Sequence, residues 1–251
     1  MKKHSAIFTV VRNERIMLPI WLNYYRKHFD DSDIFVINSY HEPLNLGEIN
    51  VCTMDNAPYE ISWVTEVTND CLISLLDSYN YVMCVDADEF VVPLQHDNSI
   101  KQYIDYLNDN RINTVATYGF NLVHDYNTEP KLDLSLPILN QRKYIVRDYF
   151  YDKPLLTKYP LILAHGLHSA EPRCYNTDTN LVLLHLKSMD YDILMQRQID
   201  LYSNREPSLL EIEKELAVHN RNLNPEYIKQ HFFDELLPNR TELDLNFPKV
   251  F

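Results

Sequence analysis

Four residues at the end of an apolar run carry the most chemical information in this chain: Asp86-Ala87-Asp88-Glu89. Tyr81-Val82-Met83-Cys84-Val85 precedes them and Phe90-Val91-Val92-Pro93 follows. A short run of β-branched and aromatic residues with polar boundaries reads as a buried strand. In open α/β sheets, ligands sit outside the carboxyl ends of strands. In extended chain, an i, i+2 spacing places Asp86 and Asp88 on one side. Two carboxylates facing one cleft repel unless something positive lies between them. A divalent cation is the simplest candidate, and Mg²⁺ or Mn²⁺ suits carboxylate oxygens together with a substrate's phosphates. His165, His168 and His185 are candidates for a further ligand, because neutral imidazole binds Mn²⁺ better than Mg²⁺. Lys153 and Lys187 could neutralise a substrate's phosphates, although each reads more simply as a surface lysine.

The elements that must position these residues follow from pattern. Residues 6–11 read as a first strand and residues 15–29 as a helix, with Pro19 early enough to be tolerated. Residues 33–38 and about 51–54 read as further strands. A helix starting near Asp55 or Asn56 runs to about Tyr79, before the 81–85 strand. This β-α-β-(β)-α-β order predicts a parallel α/β sheet over roughly the first hundred residues. Asn98 or Ser99 caps a helix to Leu107, and residues 114–123 form another strand. Between 124 and 180, Pro130, Pro137, Pro154, Pro160 and Pro172 break the pattern. Residues 181–187 are again a strand. Residues 191–204, 209–219 and 225–236 read as helices.

Composition narrows the classes. The chain has 251 residues, 45% hydrophobic and 24% charged, which suits one large domain or one with a small appendage. A net charge of −13 argues against nucleic acid as the main partner. It leaves room for one bound nucleotide. Cys52, Cys71, Cys84 and Cys174 show no zinc spacing and fit reduced thiols. With only three glycines, neither a P-loop nor a G-x-G-x-x-G turn is possible. No apolar window is long enough to span a bilayer. The apolar run after Met1-Lys2-Lys3-His4-Ser5 is too short for a signal-peptide core. The expectation is a cytoplasmic protein, peripheral at a membrane at most.

Val11-Arg12-Asn13-Glu14 and Leu18-Pro19-Ile20-Trp21-Leu22-Asn23-Tyr24-Tyr25-Arg26-Lys27-His28-Phe29, together with Val85-Asp86-Ala87-Asp88-Glu89-Phe90, resemble motifs of family-2-like glycosyltransferases. Leu184-His185-Leu186-Lys187 is similar to a His-containing strand that closes the site in related enzymes. The resemblance implies an α/β, GT-A-like nucleotide-diphospho-sugar transferase fold, with a mostly parallel central sheet flanked by helices. It divides the chain into a catalytic domain over 1–190 and a C-terminal helical extension over 191–251. The donor half would be about 1–95 and the acceptor half about 96–190. It implies a metal, Mn²⁺ or Mg²⁺, bridging Asp86 and Asp88 to the donor's diphosphate, with Asp88 the direct ligand and Asp86 on the ribose or metal-bound water. His185 and His168 join the metal candidates. Asp88 and Glu89 stand as candidate catalytic residues, with Glu89 orienting Asp88 or a nearby cation. Arg12, Asn13, Glu14, Asn38, Asp86 and Lys187 are the donor-side candidates.

The departures limit what carries over. The chain reads Asn38-Ser39-Tyr40-His41-Glu42 where the family shows Asp-Asn-Ser-x-Asp. No Glu-Asp dipeptide occurs, so the usual acceptor-activating base is missing. Asp178 and Glu171 are the substitutes within the loose segment. The Gln-x-x-Arg-Trp motif of processive synthases is absent as well, which points to transfer of a single sugar. Inversion and retention stay open. The implied partners are a nucleotide-diphosphate sugar and a glycan, lipid-linked sugar or surface polysaccharide acceptor. Two other readings compete: a non-catalytic sugar-nucleotide or partner-binding module of the same fold, and a phosphatase with a nucleophilic Asp-x-Asp. The second fits poorly, with Phe90 where Thr or Val is usual.

Overall fold

The computed structural model describes residues 1–40, 42–54, 61–203 and 224–243. The chain folds into two compact units. Among the described residues, the first holds Met1–Phe120 and Asp148–His185; the second holds Asn121–Arg147 and the chain over 186–203 and 224–243.

The first unit is built on a parallel core. β1 (Lys3–Val11) lies between β2 (Ile34–Asn38) and β4 (Tyr79–Cys84), parallel to both, and β3 (Asn50–Thr53) extends the sheet beside β2. Five consecutive residues of β1, Ala6 to Val10 with Thr9 among them, include no exposed side chain, as a strand covered on both faces requires. Helix α1 (Met17–Tyr25) follows β1, and α2 (Ile61–Ser78) leads into β4. The expected parallel sheet over the first hundred residues is therefore present. The capping residues proposed at 55 and 56 lie outside the described residues.

Antiparallel strands complete the sheet. β5 (Glu89–Pro93) pairs with β11 (Asn176–His185), His185 opposite Glu89. β8 (Leu156–Thr157) lies antiparallel between β4 and the start of β6 (Thr114–Val123). Helix α3 (Ile100–Asp109) begins at Ser99, whose hydroxyl accepts from the Gln102 N–H at 3.3 Å. β9 (Ile162–Leu163) and β10 (Ala170–Glu171) form a small hairpin. The strand expected at 181–187 begins five residues earlier and stops at His185, leaving Lys187 in the following turn. Its first half is polar and largely exposed, so hydrophobic patterning could not see it.

The second unit contains β7 (Tyr144–Arg147) paired with β12 (Thr241–Glu242), helix α4 (Tyr191–Ser203) and helix α5 (Pro225–His231). The expected 225–236 helix changes character at Phe232, where a π-helical turn runs to Leu236. Phe232, Ile228, Leu194 and Val123 form its core. Arg142, fully buried, pairs with Asp190 at 2.9 Å and donates to the carbonyls of Pro130 and Met189. The helix expected at 209–219 lies outside the described residues. No helix among the described residues is long and apolar enough to cross a membrane.

Candidate active site

Asp86-Ala87-Asp88-Glu89 is a tight turn between β4 and β5, not extended chain. The Glu89 N–H donates to the Asp86 carbonyl at 3.0 Å, and the Glu89 carboxylate accepts from the Asp86 N–H at 3.2 Å. The turn thus closes on itself at both ends. Glu89 is fully buried, whereas the side chains of Asp86 and Asp88 remain 43% and 20% exposed. Asp86 and Asp88 are therefore the carboxylates open to a ligand, and Glu89 faces the protein.

A protein cation already sits beside two of these acids. Lys153 Nζ lies 2.8 Å from Asp86 and 2.6 Å from Glu89, and its side chain is 2% exposed. Burial works against its charge, but the two carboxylates outweigh that and raise the ammonium above the ordinary lysine range. Burial also raises Glu89, to about 8, against the pull of Lys153 and with a further push from Asp86. The lysine is placed by the sheet: its carbonyl accepts from the Thr117 N–H at 3.0 Å and its own N–H donates to the Thr117 hydroxyl at 3.1 Å. Two residues on, the carbonyl of Leu155 accepts from the Cys84 N–H at 2.9 Å. Lys153 is thus not the surface residue that its sequence suggests.

Asp88 faces an imidazole. His185 Nε2 lies 3.7 Å from its carboxylate, and the His185 ring stacks on Tyr151 with centroids 4.2 Å apart. Burial, then Asp88 and Glu89, hold the Tyr151 phenol well above its ordinary pKa, so it stays neutral beside the acids. His168 stands one ring further out. It contacts Tyr151 edge-on at 6.1 Å and its Nδ1 bonds the Phe150 carbonyl. Burial lowers its pKa. The side chain of His165 is not among those described.

The remaining candidates separate by position. Asn13, in the left-handed region at φ 50, lies two residues past β1, and its side chain accepts from Arg15 at 2.9 Å. Glu14 accepts from the Met17 N–H at 3.1 Å, at the start of α1. Arg12 precedes them and is exposed. Asn38, at the end of β2, is fully buried and organises its own loop, donating to the Tyr40 and Glu42 carbonyls at 3.0 and 2.8 Å. All four lie at the carboxyl ends of parallel strands, the sheet edge that also carries Asp86 to Glu89. Lys187 belongs to the second unit. Asp178 accepts from the Tyr103 hydroxyl at 2.7 Å near the start of β11. Seven residues of strand place it roughly 23 Å along from His185, too far to act as a base there. Glu171 lies exposed on the β9–β10 hairpin.

The two sequence motifs also touch. The Tyr25 hydroxyl donates to the Glu89 carbonyl at 3.2 Å and accepts from the Val91 N–H at 3.0 Å. Tyr24 donates to the Val91 carbonyl at 2.7 Å and stacks on Phe90 at 4.1 Å. The aromatic pair of α1 therefore clamps the backbone that leaves the acid turn. Tyr151 and Lys153 are the residues sequence reasoning undervalued. Only their place in a loop rich in proline and aromatics marked that segment.

An α/β sheet with acids gathered at the carboxyl ends of its parallel strands suits a glycosyltransferase. A model of glycosyltransferase family 92 matches residues 21–160, more than half of the chain, so the protein belongs to that family. The family shown is family 92 rather than the family-2-like group that the motifs resemble, and the two readings share the glycosyltransferase class alone. No curated protein matches the chain. Among solved structures, that of S. aureus TarS is similar at 12% identity over 92% of this chain, with a TM-score of 0.46. The match covers 44% of that chain, so this protein spans less than half its length.

Proposed function

We propose that the protein transfers a single sugar from a nucleotide-diphosphate donor to a glycan, lipid-linked sugar or surface polysaccharide, with a divalent metal at Asp88. The observation that carries this is the division of labour in the acid turn. Lys153 holds Asp86 and Glu89, while Asp88 faces His185 across 3.7 Å.

Among the described residues no three His, Cys, Asp or Glu side chains gather to hold an ion by themselves. That suits a site completed by substrate, since Mg²⁺ and Mn²⁺ are commonly bound by one or two carboxylates plus phosphates. Asp88 and His185 would hold the metal, and the imidazole favours Mn²⁺ over Mg²⁺. When bound, the ion would neutralise charge that develops on the departing diphosphate. Asp86, pinned by Lys153, stands ready to accept a hydrogen bond from a donor hydroxyl. Tyr151, neutral and stacked on His185, fixes the imidazole plane. Arg12, Asn13 and Glu14 would face the nucleoside side from the end of β1. Asn38 would act through its loop. In the transfer, the bond from the anomeric carbon to the diphosphate oxygen breaks and one to an acceptor oxygen forms. The acceptor hydroxyl's proton leaves with a base that these residues do not single out.

The test is release of nucleoside diphosphate from a panel of sugar nucleotides with Mn²⁺ or with chelator. Release should need metal and fall at least about a hundredfold in Asp88→Asn, the size of effect seen on removing one group that stabilises developing charge. Metal-independent release, or release unchanged in Asp88→Asn, would overturn the assignment.

A further inference from the structure

Three acids share one short turn, and a lysine is buried against two of them. Lys153 Nζ lies 2.8 Å from Asp86 Oδ2, 2.6 Å from Glu89 Oε1 and 5.4 Å from the centre of the Tyr151 ring. Lys153 and Glu89 are buried, so water screens this charge little. The lysine's backbone is tied down as well. Its N–H donates to the Thr117 hydroxyl at 3.1 Å, and its carbonyl accepts from the N–H groups of Thr117 and Leu155 at 3.0 and 2.9 Å.

An incoming cation therefore meets Asp86 with one oxygen already committed to an ammonium. A divalent ion on the other oxygen would lie within about 7 Å of Lys153 Nζ, since such an ion binds oxygen at about 2.1 Å, and the two positive charges would repel. Asp88, two residues along, faces His185 at 3.7 Å instead. Affinity for a hard cation follows the number and charge of its ligands. A site denied Asp86 binds a bare ion weakly and needs phosphate oxygens to complete the set.

We infer that Lys153 is a positioning residue that keeps Asp86 off the metal, so that the site takes its divalent ion together with a diphosphate rather than before it. This rests on the reading above of Asp88 as the acid that carries the metal. A role in packing alone gives the opposite sign. Removing the lysine would then loosen the turn and weaken metal binding, whereas here its removal releases Asp86 as a second carboxylate ligand.

Mn²⁺ binding, read by electron paramagnetic resonance of the unbound ion, tests this on the full chain. Titrations are run bare and with uridine, guanosine, cytidine, adenosine and thymidine diphosphates. The variants are Lys153→Met/Glu89→Gln and the same pair with Asp86→Asn added. Replacing both members of the buried pair strands no charge, so the fold should persist, which a thermal melt checks. An amide oxygen at position 89 can still accept from the Asp86 N–H. One cation and one anion leave together, so the net charge of the turn stays constant and a change in metal affinity reports Asp86. Wild type should bind Mn²⁺ at least about tenfold tighter with one of the diphosphates than bare. The double variant should bind bare Mn²⁺ roughly tenfold tighter than wild type, the size of one added carboxylate, and the Asp86→Asn addition should remove that gain. Unchanged or weaker bare binding in the double variant would overturn the inference and leave the metal at Asp88 standing. A gain that survives Asp86→Asn would do the same. So would wild-type binding that is as tight without a diphosphate as with one, a measurement that needs no variant. No Mn²⁺ binding to wild type with any diphosphate would overturn the inference together with the reading beneath it.

Discussion

At the scale of single residues, Lys153 does what sequence logic gave to a metal alone: it supplies positive charge between acids. Its side chain is buried against Glu89 and Asp86, at 2.6 and 2.8 Å. Removing one partner of a buried pair strands the other, at about 3–5 kcal/mol. Lys153→Met should sit at the low end, about 3 kcal/mol, because Glu89 can take up a proton and Asp86 is half-exposed to water. Chemical denaturation near neutral pH would check this, and a loss under about 1 kcal/mol, as for a surface pair, would contradict it. Asp86 and Asp88 were legible as a pair from spacing. Their different surroundings were not, because the difference comes from a lysine 67 positions away and from a turn that replaces extended chain.

At the scale of elements, the contact between α1 and β5 explains why an aromatic helix motif and an acid motif occur in one chain. Tyr25 offers one hydroxyl to two backbone groups of β5, the Glu89 carbonyl and the Val91 N–H. Tyr25→Phe would leave both without that partner in a buried setting, at about 1–3 kcal/mol. Equilibrium unfolding should show that loss, and unchanged stability would mean water replaces the hydroxyl. Most elements were readable from pattern: β1, β2, β4 and β6 are apolar runs, and α3 begins at its Ser99 cap. The failures have a physical cause. β8, β9 and β10 have two residues each, too short to show periodicity. The polar first half of β11 gains its strand form from pairing rather than from burial. The turn at Tyr149–Tyr151 depends on Gly119 leaving room, a long-range fact that local composition does not carry.

At the scale of the whole molecule, the acid balance and the folded-state charges set how stability responds to pH. His28, partly buried edge-on to Tyr24 at 5.0 Å, has its pKa lowered to about 4, by burial first and then by Lys27. A histidine depressed in the folded state binds its proton more readily when unfolded. Its contribution is therefore complete above about pH 6.5 and is lost as the pH falls through about 4. With partial exposure discounted, that contribution is on the order of 1–2 kcal/mol. Between pH 7 and pH 4.5, His28→Phe should lose less stability than wild type by about that amount. Equal losses would show that other groups carry the acid response.

The central claim is that Asp88 presents a metal to the diphosphate of a sugar nucleotide. Thermal shift on wild type and Asp88→Ala tests it most directly, using a panel of sugar nucleotides with and without Mn²⁺. A ligand at a hundredfold its Kd should stabilise wild type by about 2.7 kcal/mol. The account predicts a shift for at least one donor that needs Mn²⁺ and disappears in Asp88→Ala. A shift of equal size without metal, or one that survives in Asp88→Ala, would contradict it.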